Sequence, residues 1–431
     1  MNRKIAGLLV FVVLAILAVP YSAQKPGGSG SGGELKPTVI LISIDGFRAD
    51  YLDRYPAPVL SRLASQGVRA KWMTPVYPSL TFPNHYSIAT GLYPEHHGIV
   101  SNNFYDPEFK QSVSIGQREE MRNGRWWLGE PIWVTAERQG QRAAAFFFPG
   151  TEAEIGGRRP SYWKTYDEKI PNAERVDTVL SWLELAEPER PTMILTYFSD
   201  VDHAGHEAGP DSEAVRQAVA TVDQAVGRLV EGLKSRGLLE RVNLVIVSDH
   251  GMARVDPSRV VLLDDYFDPQ QAEMVVWSGT FVNIFSKPGP KPGPKPGLEQ
   301  SIYDRLKSKS PPHVSVYRKA EIPERFHYRE SRRIGEIVVV AEEGWTISRR
   351  DRDRPSTQTR AAGAIYRGVH GYDNRLKSMR AIFIAHGPAF KSPLTIEPFA
   401  NVDVYQILTG ILGLKPAPND GGTATARTVL R

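Results

Sequence analysis

The chain has 431 residues, 41% hydrophobic and 23% charged, with 53 basic against 48 acidic side chains for a net of +5, and no cysteine. That balance excludes a disordered or fibrous chain and leaves room for one large α/β domain or two moderate ones. An excess of +5 is too small to argue for specific nucleic-acid binding, and without cysteine there is no disulfide support, thiol-linked lipid or thiol nucleophile.

Residues 1–24 have the make-up of an export segment. Arg3 and Lys4 precede an apolar run over 5–19, and Ser22 and Ala23 offer small side chains where a peptidase cuts. That run is shorter than the roughly 20 residues that span a bilayer, which favours a cleaved signal peptide over a retained anchor and leaves no stable membrane span. Residues 25–36, with GGSGSGG at 27–33, read as a flexible tether. The folded body is then 37–431, in the periplasm or outside the cell.

Residues 38–44 form an apolar, β-branched run that ends at Asp45-Gly46, the pattern of a buried strand. Residues 58–66 read as a short helix with proline in its first turn. The buried-strand pattern returns at 193–198, just before Asp202, and at 242–247, just before Asp249-His250-Gly251. Between them Val215, Val219, Val222, Val226 and Leu229 predict a long amphipathic helix over 211–236. The proline–glycine repeat at 287–297 predicts an exposed excursion, the arginine-rich stretch 348–360 a loop, and 381–385 a further strand.

Strand, polar residues and then helix is the rhythm of a mostly parallel sheet with helices on both faces, whose ligands gather at the carboxyl ends of the strands. Asp45, Asp202 and Asp249 each follow such a strand, so the topology itself predicts that they converge. His206 comes round one helical turn after Asp202, His250 adjoins Asp249, and His370 precedes Gly371. Three carboxylates and three imidazoles suit zinc or a related divalent ion and suffice for two. Thr81, in YPSLTFPNH at 77–85, has two prolines pinning its backbone. Its hydroxyl is a poor nucleophile unless coordination to a dication ionises it. Asn102 offers an amide to a phosphoryl oxygen.

Several longer runs complete the pattern. They are PVYPSLTFPNHYSIATGLYPEHHGIVSNNFYDP at 75–107, GEPIWVTAERQG at 129–140, DVDHAGHEAGP at 200–210, VIVSDHGM at 245–252, GVHGYDN at 368–374 and FANVDVYQILTGILGLKPAPNDG at 399–421. In this order they resemble the nucleotide pyrophosphatase/phosphodiesterase family of the alkaline phosphatase superfamily. The resemblance implies an α/β, alkaline-phosphatase-like fold with a mostly parallel central sheet flanked by helices and the active site at the carboxyl ends of the strands. It implies two zinc ions, one held by Asp202, His206 and His370, the other by Asp45, Asp249, His250 and the Thr81 oxygen. Thr81 would attack phosphorus to form a nucleotidyl-threonine, which water would resolve to a nucleoside 5′-monophosphate. Asn102 would donate to a non-bridging oxygen, Phe82 and Tyr166 would stack a base, and Tyr197 would line the same pocket. The implied substrates are ATP, dinucleotides and nucleotide esters, with choline-bearing phosphodiesters as the alternative within the family. A phosphomonoesterase or sulfatase fits less well, since the Thr81 motif has no arginine and the chain no cysteine.

Overall fold

A computed structural model of the chain describes residues 35–287, 297–350 and 366–431. The predicted export segment, nearly all of the tether, and most of the proline–glycine repeat and the arginine-rich stretch lie outside the described residues.

The eight strands of the central sheet are β1 (Val39–Ile44), β2 (Val68–Ala70), β3 (Ala143–Phe146), β4 (Tyr162–Lys164), β5 (Met193–Phe198), β6 (Asn243–Val247), β7 (Phe383–His386) and β8 (Leu394–Ile396), in the spatial order β8-β2-β7-β6-β1-β5-β3-β4. β1 lies at the centre and is parallel to both β5 and β6. All six of its side chains are buried, as a strand covered on both faces requires. β3 and β4 extend the parallel array on one side. On the other side β7 runs antiparallel to β6 and β2. The sequence pattern of β7 carries no sign of this reversal. The link from His370 stays on the carboxyl edge, where Gly251 N–H bonds the Met379 carbonyl and Ala49 N–H that of Arg380, so β7 starts at that edge and runs back.

The helices that matter for the site are α1 (Pro58–Gln66), α2 (Thr81–Thr90), α3 (Asn172–Leu183), α4 (Asp200–Ala208) and α5 (Glu213–Ser235). α5 buries Val215, Val219, Val222, Val226 and Leu229, and the Ser212 hydroxyl caps it by accepting the Val215 N–H. Its buried Asp223 accepts the N–H groups of Val59 and Leu60, which fastens the start of α1 to it. The prolines around Thr81 flank the start of a helix rather than a loop. Pro83 sits in the first turn of α2, where its missing N–H would have had no partner within the helix.

A second, antiparallel sheet in the order Ala272–Trp277, Phe281–Ser286, Ile337–Ala341, Val314–Arg318 packs its own apolar cluster, which includes Val282, Ile284, Val339 and Tyr372. It bears on the site through Thr280, whose hydroxyl donates to the His370 carbonyl at 3.3 Å.

Candidate active site

β1, β5 and β6 all end at one edge, and the site residues Asp45, Asp202 and Asp249 each follow within four positions of a strand end. Asp45 follows β1, and Gly46 turns the chain away with φ of +66°. A Cβ on Gly46 would stand 2.9 Å from the Asp202 backbone, so glycine is what lets the end of β1 lie against α4. Asp202 and His206 sit four apart on α4 and face the same way. Asp249 and His250 follow β6. His370 follows the two-residue strand Gly368–Val369, which pairs with Ala253–Arg254. There too the backbones touch, since a Cβ on Gly368 would lie 2.3 Å from the Gly205 carbonyl oxygen.

These residues form two adjoining groups. In one, His206 Nε2 lies 3.1 Å from His370 Nε2, and each is 3.5 Å from an oxygen of Asp202. In the other, His250 Nε2 lies 3.5 Å from Asp45 Oδ1 and 2.9 Å from Asp249 Oδ2. Asp202 is close enough to serve both groups, and the His250 and His370 rings stack at 3.6 Å. His203, one residue beyond Asp202, faces the cavity but belongs to neither group.

The hydrogen bonds fix what each imidazole presents. Nδ1 of His206 meets the Gly368 carbonyl at 2.8 Å, that of His370 the Ser79 carbonyl at 2.9 Å, and that of His250 the Gly251 carbonyl at 2.8 Å. A carbonyl only accepts, so each Nδ1 carries a proton and each Nε2 is turned inward. Burial and the neighbouring His250 lower the pKa of His370 to about 3, which keeps it neutral with a bare lone pair. Burial raises the Asp45 carboxyl well above its ordinary range, and the nearby Asp249 and Asp202 raise it further. For Asp249 burial acts in the same direction, but the imidazoles of His250 and His85 outweigh it and hold the carboxyl low. Among the described residues, one buried oxygen each on Asp45, Asp202 and Asp249 accepts no hydrogen bond. Unmatched carboxylate oxygens and facing lone pairs in a dry pocket are costly unless positive charge lies between them. Oxygen and imidazole donors in two such groups fit a pair of divalent cations.

Thr81, the first residue of α2, places its Oγ1 3.4 Å from His250 Nε2. Asn102 Oδ1 accepts the Phe82 N–H at 3.0 Å, which leaves the NH2 end of the amide for the cavity that Asn102 helps to line. That cavity, about 560 Å³, is lined by Asp45, Thr81, Asp202, His206 and His370 from the two groups and their surroundings and by Phe82, Trp127, Tyr166 and Phe148. Phe82 leans on Trp127 at 6.0 Å. Tyr166 is held at both backbone ends, its N–H by Glu152 and its carbonyl by Arg118, each at 2.8 Å.

Two neighbours of the groups carry more than their sequence context suggests. The Tyr197 hydroxyl donates to Asp45 Oδ2 at 2.5 Å, so this residue touches the Asp45 group as well as the pocket. His85 is fully buried. Its Nε2 meets Ser43 Oγ at 2.8 Å, and its Nδ1 meets the Thr81 carbonyl at 2.8 Å with Asp249 Oδ2 3.4 Å away. His85 therefore ties the turn that bears Thr81 to both β1 and Asp249. The i, i+4 spacing from Thr81 is the signal that could have marked it, but it is informative only once this stretch is known to be helical.

The family model described as type I phosphodiesterase / nucleotide pyrophosphatase matches residues 39–373. Ectonucleotide pyrophosphatase/phosphodiesterase family member 3 of Rattus norvegicus is 38% identical over 398 residues, covering 92% of this chain and 44% of that protein. A venom phosphodiesterase of Crotalus durissus collilineatus is 39% identical over 403 residues, covering 93% of this chain and 47% of that one. The chain thus spans about half the length of the curated relatives it matches. Among solved structures, murine ectonucleotide pyrophosphatase/phosphodiesterase 5 is similar with a TM-score of 0.82 at 34% identity, covering 91% of this chain and all of that one. A structure of a threonine-to-alanine variant of that protein, described as inactive, holds AMP.

Proposed function

The chain belongs to the type I phosphodiesterase / nucleotide pyrophosphatase family, and from that premise we propose that it is an exported hydrolase that splits nucleotide phosphodiester and pyrophosphate bonds. The products are a nucleoside 5′-monophosphate and the remaining fragment. The observation that carries the reading is the position of the Thr81 hydroxyl, beside His250 in a cavity lined by aromatic rings.

Asp202, His206 and His370 would hold one cation. Asp45, Asp249, His250 and the Thr81 oxygen would hold the other, with zinc the best match to this donor set. When bound, the pair supplies positive charge that ionises a hydroxyl or water at neutral pH and stabilises the attacking and leaving oxygens of an in-line displacement. Thr81 Oγ1 forms the new bond to phosphorus as the bond to the leaving oxygen breaks, and its proton passes to solvent. Water then cleaves the Thr81–phosphate ester and restores the hydroxyl. The Asn102 NH2 donates to a non-bridging oxygen as charge builds on it. Tyr197 holds Asp45 through its hydroxyl. Phe82 and Tyr166 flank the base, a contact worth about 1–3 kcal/mol and tolerant of base identity. The AMP bound to the related murine protein supports a nucleotide over a choline ester. Likeness to venom phosphodiesterases and the apolar N-terminal run support export.

Turnover of a nucleoside 5′-(p-nitrophenyl phosphate) against plain p-nitrophenyl phosphate tests the reaction class. The diester should be strongly preferred, with activity lost to a chelator and restored by zinc. Preference for the monoester would overturn the reading.

A further inference from the structure

Tyr166 lines the cavity from a stretch that has no helix or strand of its own. Residues 165–171 link β4 to α3 as irregular chain, and a side chain on such a link keeps its place through contacts made by other segments. Its ring meets the exposed Arg118 guanidinium at 5.3 Å, and the buried rings of Phe147 and Tyr197 at 5.1 and 6.1 Å. Phe147, the residue after β3, has φ of +62°, uncommon for a bulky side chain and sustained only by the contacts around it. That turn sets one ring against Tyr166 while the next, Phe148, lines the cavity.

Both buried rings lead to Arg175, near the start of α3. Its guanidinium lies 5.1 Å from the centre of the Phe147 ring. Nη1 donates to the Tyr197 carbonyl at 2.9 Å, Nε to the Ile170 carbonyl at 3.0 Å and Nη2 to the Glu168 carbonyl at 3.3 Å. One side chain thus ties the end of β5, the ring that meets Tyr166, and the stretch that carries Tyr166. Arg175 is 3% exposed, and these three bonds all go to backbone carbonyls. Burial lowers its pKa, and the nearby Asp200 carboxylate offsets this only in part. A buried charge without a bonded counter-ion is costly, and an apolar side chain of similar size packs at least as well. Packing α3 on the sheet therefore gives no reason for a guanidinium here, whereas a planar fork that spans three carbonyls does.

We propose that Arg175 is a positioning residue for the nucleotide, setting the Tyr166 ring against which the base lies without lining the cavity itself. This rests on the phosphodiesterase reading above and adds to it the buried group that governs the grip on the base.

Arg175→Lys keeps the charge and the stem, but one ammonium cannot span the three carbonyls and cover the Phe147 ring. Steady-state kinetics are measured on a nucleoside 5′-(p-nitrophenyl phosphate) and on methyl p-nitrophenyl phosphate, which has the same leaving group and no base. In the lysine variant KM for the nucleoside ester should rise about fivefold or more, the lower end of what one stacked base contributes. Its kcat should stay near the parental value, and the kinetics of the methyl ester should not change. In a Tyr166→Ala background the lysine substitution should add no further rise, because its effect passes through that ring. An unchanged KM for the nucleoside ester, an equal loss on both esters, or a rise that persists in full without the Tyr166 ring would overturn the positioning role. Phe147→Leu leaves the three carbonyl bonds in place and removes the ring between the guanidinium and Tyr166, so it keeps the test valid if the lysine variant folds poorly. The same split between the two esters is expected of it, and its absence would equally overturn the role. A parent that handles the two esters alike would instead overturn the nucleotide reading, and the role of Arg175 would fall with it.

Discussion

The proposed reaction gives Asn102 two jobs with one amide, and two substitutions separate them. Its Oδ1 accepts the Phe82 N–H at the start of α2, while its NH2 end faces the cavity. Asn102→Ala removes both. Asn102→Asp keeps an acceptor for Phe82 but deletes the donor and sets a negative charge beside a negative phosphate. An unmatched buried N–H costs about 1–3 kcal/mol. Asn102 is 8% exposed and borders the cavity, so water can reach the freed N–H and the lower figure applies. In a chain this large, ~1 kcal/mol lowers Tm by about 2 °C or less. A preorganised donor to a developing oxyanion is worth about 10²–10³ in kcat, or ~2.7–4 kcal/mol. Both variants should therefore lose at least ~10² in kcat on the nitrophenyl ester, whereas only the alanine variant should melt earlier. Stopped-time assays and thermal unfolding followed by circular dichroism give the two numbers. An aspartate variant that keeps near-parental kcat would refute the donor role. An aspartate variant that melts as early as the alanine one would refute the role assigned to the Phe82 bond.

Thr81→Ala should abolish turnover yet leave bound-metal content close to that of the parent, because the carboxylates and imidazoles remain; metal analysis beside the assay checks this, and residual turnover near the parent rate would remove Thr81 from the chemistry. Gly46→Ala forces a side chain into a left-handed backbone position and against the Asp202 backbone at 2.9 Å, so Tm should fall and metal content with it; an unchanged Tm would mean that β1 and α4 can separate at little cost. His85→Phe keeps an aromatic ring but leaves the buried Ser43 hydroxyl unmatched, a cost of about 1–3 kcal/mol, and should loosen metal at the Asp249 group; unchanged metal affinity would reduce His85 to packing. Burial opposes the charge on His96, but the Asp420 carboxylate at 2.7 Å outweighs it, with Glu95 and Glu330 adding to the effect, so the folded pKa is raised. Stability from that contact is fully present below the unfolded pKa of about 6.5 and is lost as pH rises through the folded value. The Tm gap between parent and His96→Asn should therefore shrink from about pH 5.5 to about pH 8.5, and a constant gap would refute the linkage.

Local pattern alone determined the parts of this protein whose signal is local. The runs that became β1, β5 and β6 are apolar because both faces of a central parallel strand are covered, and the valines and leucine of α5 recur because one helical face is buried. Each of those strands is followed within four residues by one of the three aspartates, so the meeting of Asp45, Asp202 and Asp249 was already implied by sheet topology. Nothing local signals that β7 runs backward, since burial does not record strand direction, nor that a second sheet rises between β6 and β7. The same limit hid the start of α2 at Thr81, where two prolines read equally well as a loop. Only the folded chain decided that His85 joins Ser43, Thr81 and Asp249, that the Tyr197 hydroxyl reaches Asp45, and that three backbone carbonyls turn each Nε2 inward. Those partners lie up to hundreds of residues apart along the chain, and contacts of that range come from packing rather than from periodicity.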